Sequence, residues 1–238
     1  MKKFSLIFAA AFCLVFNTSS YILNEDNTDI NGNSTEVVDN NDVDAVKEAL
    51  QSGWTDAEIA KANTAAHVSS LSQMDKDIIL YCNLARLDGA KFWRTYGKAN
   101  AQGSSSNVAS LERDLSMVRN YPMYIPEASL MKAAAYHAND MSQNNFFDHD
   151  SSDGTDFGDR LYSFYNGNAI AENISAGSNT AISVVMQLLI DDGVPSLGHR
   201  KNILERNYTA IGVKSASHRS WGSVTVQDFG DRVINEMQ

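Results

Sequence analysis

An α+β fold is expected from three observations. Helical patterns come first along the 238 residues, two alternating segments gather near the C-terminus, and cysteine is too scarce for a disulfide framework. A 43% apolar content suits one sizeable core and falls short of two full domains.

The chain opens with Met1 to Ser20, MKKFSLIFAAAFCLVFNTSS, in which Lys2 and Lys3 precede the apolar run Phe4 to Phe16. Thirteen residues are too few to cross a bilayer as a helix, so residues 1–20 read as a secretory signal peptide and not as a transmembrane anchor. Phe12 before Cys13 argues against lipid attachment, which needs a small residue there. A secreted or extracytoplasmic location follows as an expectation. Removing the leader moves the formal charge from −10 to −12 and leaves Cys82 alone. That acidic balance opposes nucleic-acid binding by counterion release.

Residues 21–46 hold seven carboxylates, no Lys or Arg and no sustained apolar period, so they read as a flexible acidic linker. Within 47–71 the stretch Thr55 to Glu58, TDAE, fits a capping box and predicts a short helical extension, with Trp54 available to dock it. The main domain is expected over 72–238. SQMD at Ser72 to Asp75 starts a helix in which Ile78, Cys82 and Ala85 form one stripe and Leu80, Leu84 and Leu87 an adjacent one. Cys82 then reads as a small core residue.

Ala99 to Asn107 is rich in Ser and Gly and reads as a surface connection. Pro126 leads into a second helix, EASLMKAAAYHANDM, whose apolar face includes His137 as a hydrogen-bonded core histidine. Ser178 to Ile190 predicts a third helix, capped by Ser178 or Asn179 and closed by Gly193. TAIGVKSA and SVTVQDF alternate as strands, and SHRSWG between them suggests a hairpin in which His218 is exposed, as is His67 earlier in the chain.

No phosphate-binding GxxxxGK[ST], no HExxH, no GxSxG and no spaced cysteine cluster is present, which removes the usual support for nucleotide hydrolysis, zincin proteolysis and an elbow serine hydrolase. Polar residues in unusual settings remain. His149 follows the anchoring pair Phe146 and Phe147, and Glu172 sits among small and apolar neighbours in AENI. Asp191 opposes the dipole at the C-terminal end of the third helix and needs a compensating partner; His199 lies eight residues on. Asp148, Asp150, Asp153, Asp156 and Asp159 miss the calcium-loop spacing, so a turn at Asp153–Gly154 with solvated acids is the better reading.

HANDMSQNNFFDHDSSDG, AENISAG, DDGVPSLGHRKNIL with TAIGV, and VTVQDF resemble, in order, the motifs of the CAP superfamily of cysteine-rich secretory proteins, antigen five and pathogenesis-related proteins, in its disulfide-free bacterial branch. The resemblance implies a three-layer α-β-α sandwich with a central cleft lined by two histidines and two acids. Carried over, the FxH histidine is His149, the AEN glutamate is Glu172 and the GHR histidine is His199. Leu188 stands where the family has Trp, and Asp191 takes the acid position three residues later, with Asp192 as fallback.

Two imidazoles with adjacent carboxylates can hold zinc or another divalent cation, with His149 and His199 as ligands and the carboxylates fixing their tautomers. The expected function is a non-enzymatic module that binds a small ligand, a lipid or an extracellular macromolecule. The alternative is a metal-dependent protease or esterase in the same cleft, with Glu172 as the catalytic candidate.

Overall fold

Alternating and helical patterns in the sequence become an ordered series of elements in the computed structural model, which describes residues 44–231. The expected leader and Cys13, and nearly all of the expected acidic linker, lie outside the described residues. In order the elements are α1 (Ala45–Gln51), α2 (Asp56–Ala62), α3 (Gln73–Leu87), α4 (Gly89–Phe92), a π-helical turn (Trp93–Gly97), α5 (Lys98–Asn100) and α6 (Ser105–Ser116). There follow β1 (Ile125–Pro126), α7 (Ala128–Asn144), α8 (Phe157–Phe164), β2 (Ile170–Ala176), α9 (Ala181–Ile190), α10 (Gly198–Leu204), β3 (Ala210–His218) and β4 (Gly222–Gly230).

Local chemistry sets the helix starts. Thr55 and Glu58 form the expected capping box of α2, and the Ser72 hydroxyl accepts from the Asp75 amide at the start of α3. For α9 the cap is Thr180, not Ser178 or Asn179. The hydroxyls of Thr180 and Ser183 serve each other's amides there, while the Ser178 hydroxyl donates to Gln187. Asp191, not Gly193, takes the left-handed position that closes α9, with φ 57°. The expected 99–107 connection is shorter than its composition suggests, because α6 already begins at Ser105.

The segment before α3 is packed, not loose. Trp54 is buried, its indole N–H donates to Thr95 Oγ1 at 3.3 Å, and the Lys91 ammonium lies 4.5 Å over its ring while pairing with Glu58 at 2.7 Å. Ala45, Ala49, Ile59 and Ala62 share one apolar cluster with α3.

The sheet has strand order β1-β3-β4-β2, with β3 and β4 an antiparallel hairpin and β2 an edge strand antiparallel to β4. Alternation along these strands gives two apolar faces. Ala171, Ile211, Val213 and Phe229 pack with α3 and α9. Ile174, Val224, Val226 and Ala210 pack with α7 and α8. The result is the α-β-α sandwich that the motifs imply. At Gly212 a Cβ would come within 2.2 Å of the Leu130 carbonyl, so only glycine lets α7 lie this close to the sheet.

Two buried arginines fix α10. Arg86 donates to the carbonyls of Pro122, Ile203, Glu205 and Tyr208, which ties the end of α10 to α3. Arg200 donates to the Leu189 and Ile190 carbonyls of α9, and to Ser110 and Asp114 of α6. A guanidinium carries five donors, and carbonyl rings of this kind satisfy them without water.

Candidate functional site

The edge strand β2 reads IAENISA, and its alternation sends neighbouring side chains to opposite layers. Glu172 faces α7 and α8, where Arg160 meets it, whereas Asn173 faces α10 and hydrogen-bonds the His199 carbonyl at 3.2 Å. Each layer contributes one histidine paired with one acid.

On the α7 and α8 side, His149 Nδ1 lies 2.8 Å from Glu172 Oε1, and Arg160 donates to Glu172 Oε2 at 2.5 Å. The same guanidinium donates to the His149 carbonyl and to Ser151 Oγ, so the loop carrying His149 is wrapped around it. Burial works to raise the Glu172 carboxyl. The His149 hydrogen bond and the nearby His137 and Arg160 outweigh it and hold the group below its ordinary range. An ionised acceptor fixes the tautomer: Nδ1 of His149 carries the proton and donates it. The Glu172 side chain is 1% exposed and that of His149 is 26% exposed, so the carboxylate is sealed and the ring is not. Nε2 of His149 makes no hydrogen bond within the described residues.

His137 stands behind this pair. Its Nε2 donates to the Asp148 carbonyl at 2.8 Å, and burial pulls its pKa down while the Glu172 charge works against this. The same nitrogen lies 3.9 Å from Glu172 Oε1. The expected reading of His137 as a hydrogen-bonded core residue agrees with this geometry.

On the other side, His199 Nδ1 lies 2.6 Å from Asp191 Oδ1, while Asp191 Oδ2 accepts from the His199 amide at 2.9 Å and the Arg200 amide at 3.3 Å. The partner that the charge at the end of α9 needs is thus the start of α10 together with the imidazole. Asp191 is 1% and His199 21% exposed in their side chains, which repeats the arrangement of a sealed acid and an open ring. Asp192 turns away and accepts from Ser104 at 2.7 Å, so of the two aspartates it is Asp191 that pairs with His199.

Asn202 joins the halves. Its amide donates to the Glu172 carbonyl at 3.3 Å and to Asn173 Oδ1 at 2.9 Å, which fastens the helix of His199 to the strand of Glu172. The crowded aspartates near His149 serve turns: Asp153 accepts from the Thr155 amide, Asp150 from Phe157 and Asp156 from Gly158 at the start of α8. His218 is buried against the Phe146 carbonyl, contrary to the exposed position expected in the hairpin turn, because the hairpin end folds back onto the loop after α7. His67 is exposed.

Several contributors escaped the sequence reading. Arg160, Asn173, Asn202 and Asp228 are paired or stacked against site residues that lie far along the chain. Asp228 had a visible signal: along VTVQDFG it shares the inward parity of Val224 and Val226, where an acid is out of place.

As donors toward a cation, the carboxylates of Glu172 and Asp191 are committed to Nδ1 of the rings, which leaves Nε2 of each histidine. Among the described residues no three His, Cys, Asp or Glu side chains are grouped to hold a metal ion. Two imidazole nitrogens alone would leave most of a metal ion's coordination to water, so no closed protein cage is formed. A surface hollow between Lys61, Met123, Asn207 and Asp231 lies beside β1, at the other edge of the sheet, and contains none of these residues. No helix among the described residues is long and apolar enough to cross a membrane.

Residues 120–229 match the family model described as "CAP: Cysteine-rich secretory protein family". The Bacillus subtilis (strain 168) protein YkwD is 37% identical over 110 residues, which is 45% of this chain. The chain spans about two fifths (39%) of that relative's length. Among solved structures, an extracellular protein containing an SCP domain from Bacillus anthracis is 24% identical, with a TM-score of 0.38 over 59% of this chain and 43% of its own. An outer surface protein of Borrelia burgdorferi is 21% identical, with a TM-score of 0.41 over 54% of this chain and 89% of its own.

Proposed function

We propose that the chain belongs to the CAP superfamily, whose family model its residues 120–229 match, and that it is an exported, non-enzymatic binding module whose ligand position is the outward imidazole nitrogens. Export is read from the basic and apolar leader over residues 1–20. One observation carries the binding reading: both His149 and His199 give Nδ1 to a sealed carboxylate and keep Nε2 on a ring that solvent reaches. A carboxylate that accepts from Nδ1 fixes the imidazole lone pair on Nε2, which suits a divalent cation such as zinc or a hydrogen-bond donor on a ligand.

The same geometry disfavours the hydrolase alternative. Glu172 is bound by Arg160 and His149 and held below its ordinary pKa, so it is a weak base with no access to a water. Ser151 is buried and its hydroxyl oxygen accepts from Arg160, which does not activate it as a nucleophile.

Calorimetric titration of the purified protein with zinc tests the reading. Saturable binding that weakens at least about tenfold in His149→Ala and in His199→Ala is expected. Binding indifferent to both substitutions would remove the proposed position, and zinc-dependent cleavage of a peptide or ester that both substitutions abolish would move the assignment to the hydrolase.

A further inference from the structure

Asp228 is an acid in a position where its oxygens, as acceptors, meet no donor. It is 0% exposed, and neither of its oxygens has a hydrogen-bond partner among the described residues. Across the β2–β4 ladder it stands directly opposite Glu172, and across the β3–β4 ladder its neighbour is Gly212, which has no side chain. The charged and titratable groups facing this pocket can be named element by element. They are Glu172 on β2, Arg160 on α8, His137 on α7 and His149 on the following loop, while β3 contributes none at Gly212.

Among these only Arg160 is a permanent cation, and its contacts go to Glu172, the His149 carbonyl and Ser151. Two ionised carboxylates are both acceptors and cannot bond each other; a single proton between them turns repulsion into a strong hydrogen bond. A second buried negative charge would lack a counter-ion, and such groups neutralise instead of remaining charged.

We propose that Asp228 is kept as a neutral carboxylic acid that donates its proton to Glu172, so that the buried pair carries one negative charge, matched by Arg160. Asp228 is then a positioning residue. Its hydroxyl supplies a third donor to the Glu172 carboxylate, beside Arg160 and His149, and so helps to hold that carboxylate in place behind the His149 ring. Burial, followed by the charge of Glu172, pushes the Asp228 carboxyl well above the usual range, while Arg160 opposes this only in part. The assignment does not depend on which ligand the imidazoles take.

Infrared spectroscopy of the full protein tests it. At neutral pH a protonated carboxylic C=O stretch is expected that shifts on [13C]aspartate labelling and disappears in Asp228→Asn. Labelling the wild type alone decides the point even if the variant fails to fold. No aspartate-sensitive carboxylic band at neutral pH, a band that survives in Asp228→Asn, or a band that shifts only on glutamate labelling each overturns the assignment. A second readout is the folding equilibrium. Relative to Asp228→Asn, wild-type stability should fall by about tenfold in equilibrium constant per pH unit between the ordinary aspartate pKa and the raised one. Parallel pH profiles would contradict it.

Discussion

The two imidazole–carboxylate pairs look alike at the rings and differ in what stands behind the acid. Behind Glu172 is a buried side-chain cation, Arg160, with His137 and Asp228 around it. Behind Asp191 are two backbone amides at the start of α10. The first pair is assembled by long-range packing and depends on individual side chains. The second is made by a tight turn between two helices and depends mainly on the backbone path, so substitutions should injure the halves unequally.

The largest effect is expected at Arg160. Arg160→Met leaves the buried Glu172 charge without its cation and should cost about 3–5 kcal/mol in urea unfolding. A loss below about 1 kcal/mol would mean that Glu172 is not held ionised by this residue. Asp191→Ala comes next. It removes an acceptor from the His199 ring and two amides, but water can reach part of that turn, so a loss of about 1–3 kcal/mol is expected. If Asp191→Ala proved more damaging than Arg160→Met, the contrast between side-chain and backbone support would be reversed.

The pH dependence sharpens the comparison further. The Glu172 pKa is lowered on folding, so its contribution is present above the ordinary glutamate value and is lost as pH falls through the folded value. Glu172→Gln should flatten the acid limb of the stability profile by up to about 1.4 kcal/mol per pH unit below about pH 4. The raised Asp228 pKa acts in the opposite direction, with stability full below its ordinary value and falling as pH climbs toward the folded one. Two carboxyls on paired strands therefore tilt the same profile in opposite senses. The smallest effect concerns Cys82, whose thiol is pushed up to about 12 by burial. Thiol reagents should leave it unmodified in the native protein and label it only on unfolding.

Much of the fold was legible because its signals are periodic. The stripes of α3 and α7, the TDAE box of α2 and the alternation of β3 and β4 follow from residues close together in the chain. α6 was not visible, since SSNVASLERDLS buries only Leu111 and Leu115 and reads as polar. The Asp191–His199 pair spans eight residues and could be anticipated from the dipole argument alone. Recognising Glu172 with His149 needed the motif resemblance. Arg160 and Asp228 were missed because a charge partner brought by strand pairing leaves no spacing to read; Asp228 is opposite Glu172 only through the register of β2 on β4.

The central claim is that both rings hand Nδ1 to a sealed carboxylate and keep Nε2 on a ring that solvent reaches. Nitrogen NMR of the [15N]histidine-labelled protein during a zinc titration tests it most directly. The expected result is that Nε2 of His149 and of His199 shift together toward a single equivalent of zinc while both Nδ1 resonances keep their protonated character. Independent titration of the two rings, or a response at Nδ1, would contradict it.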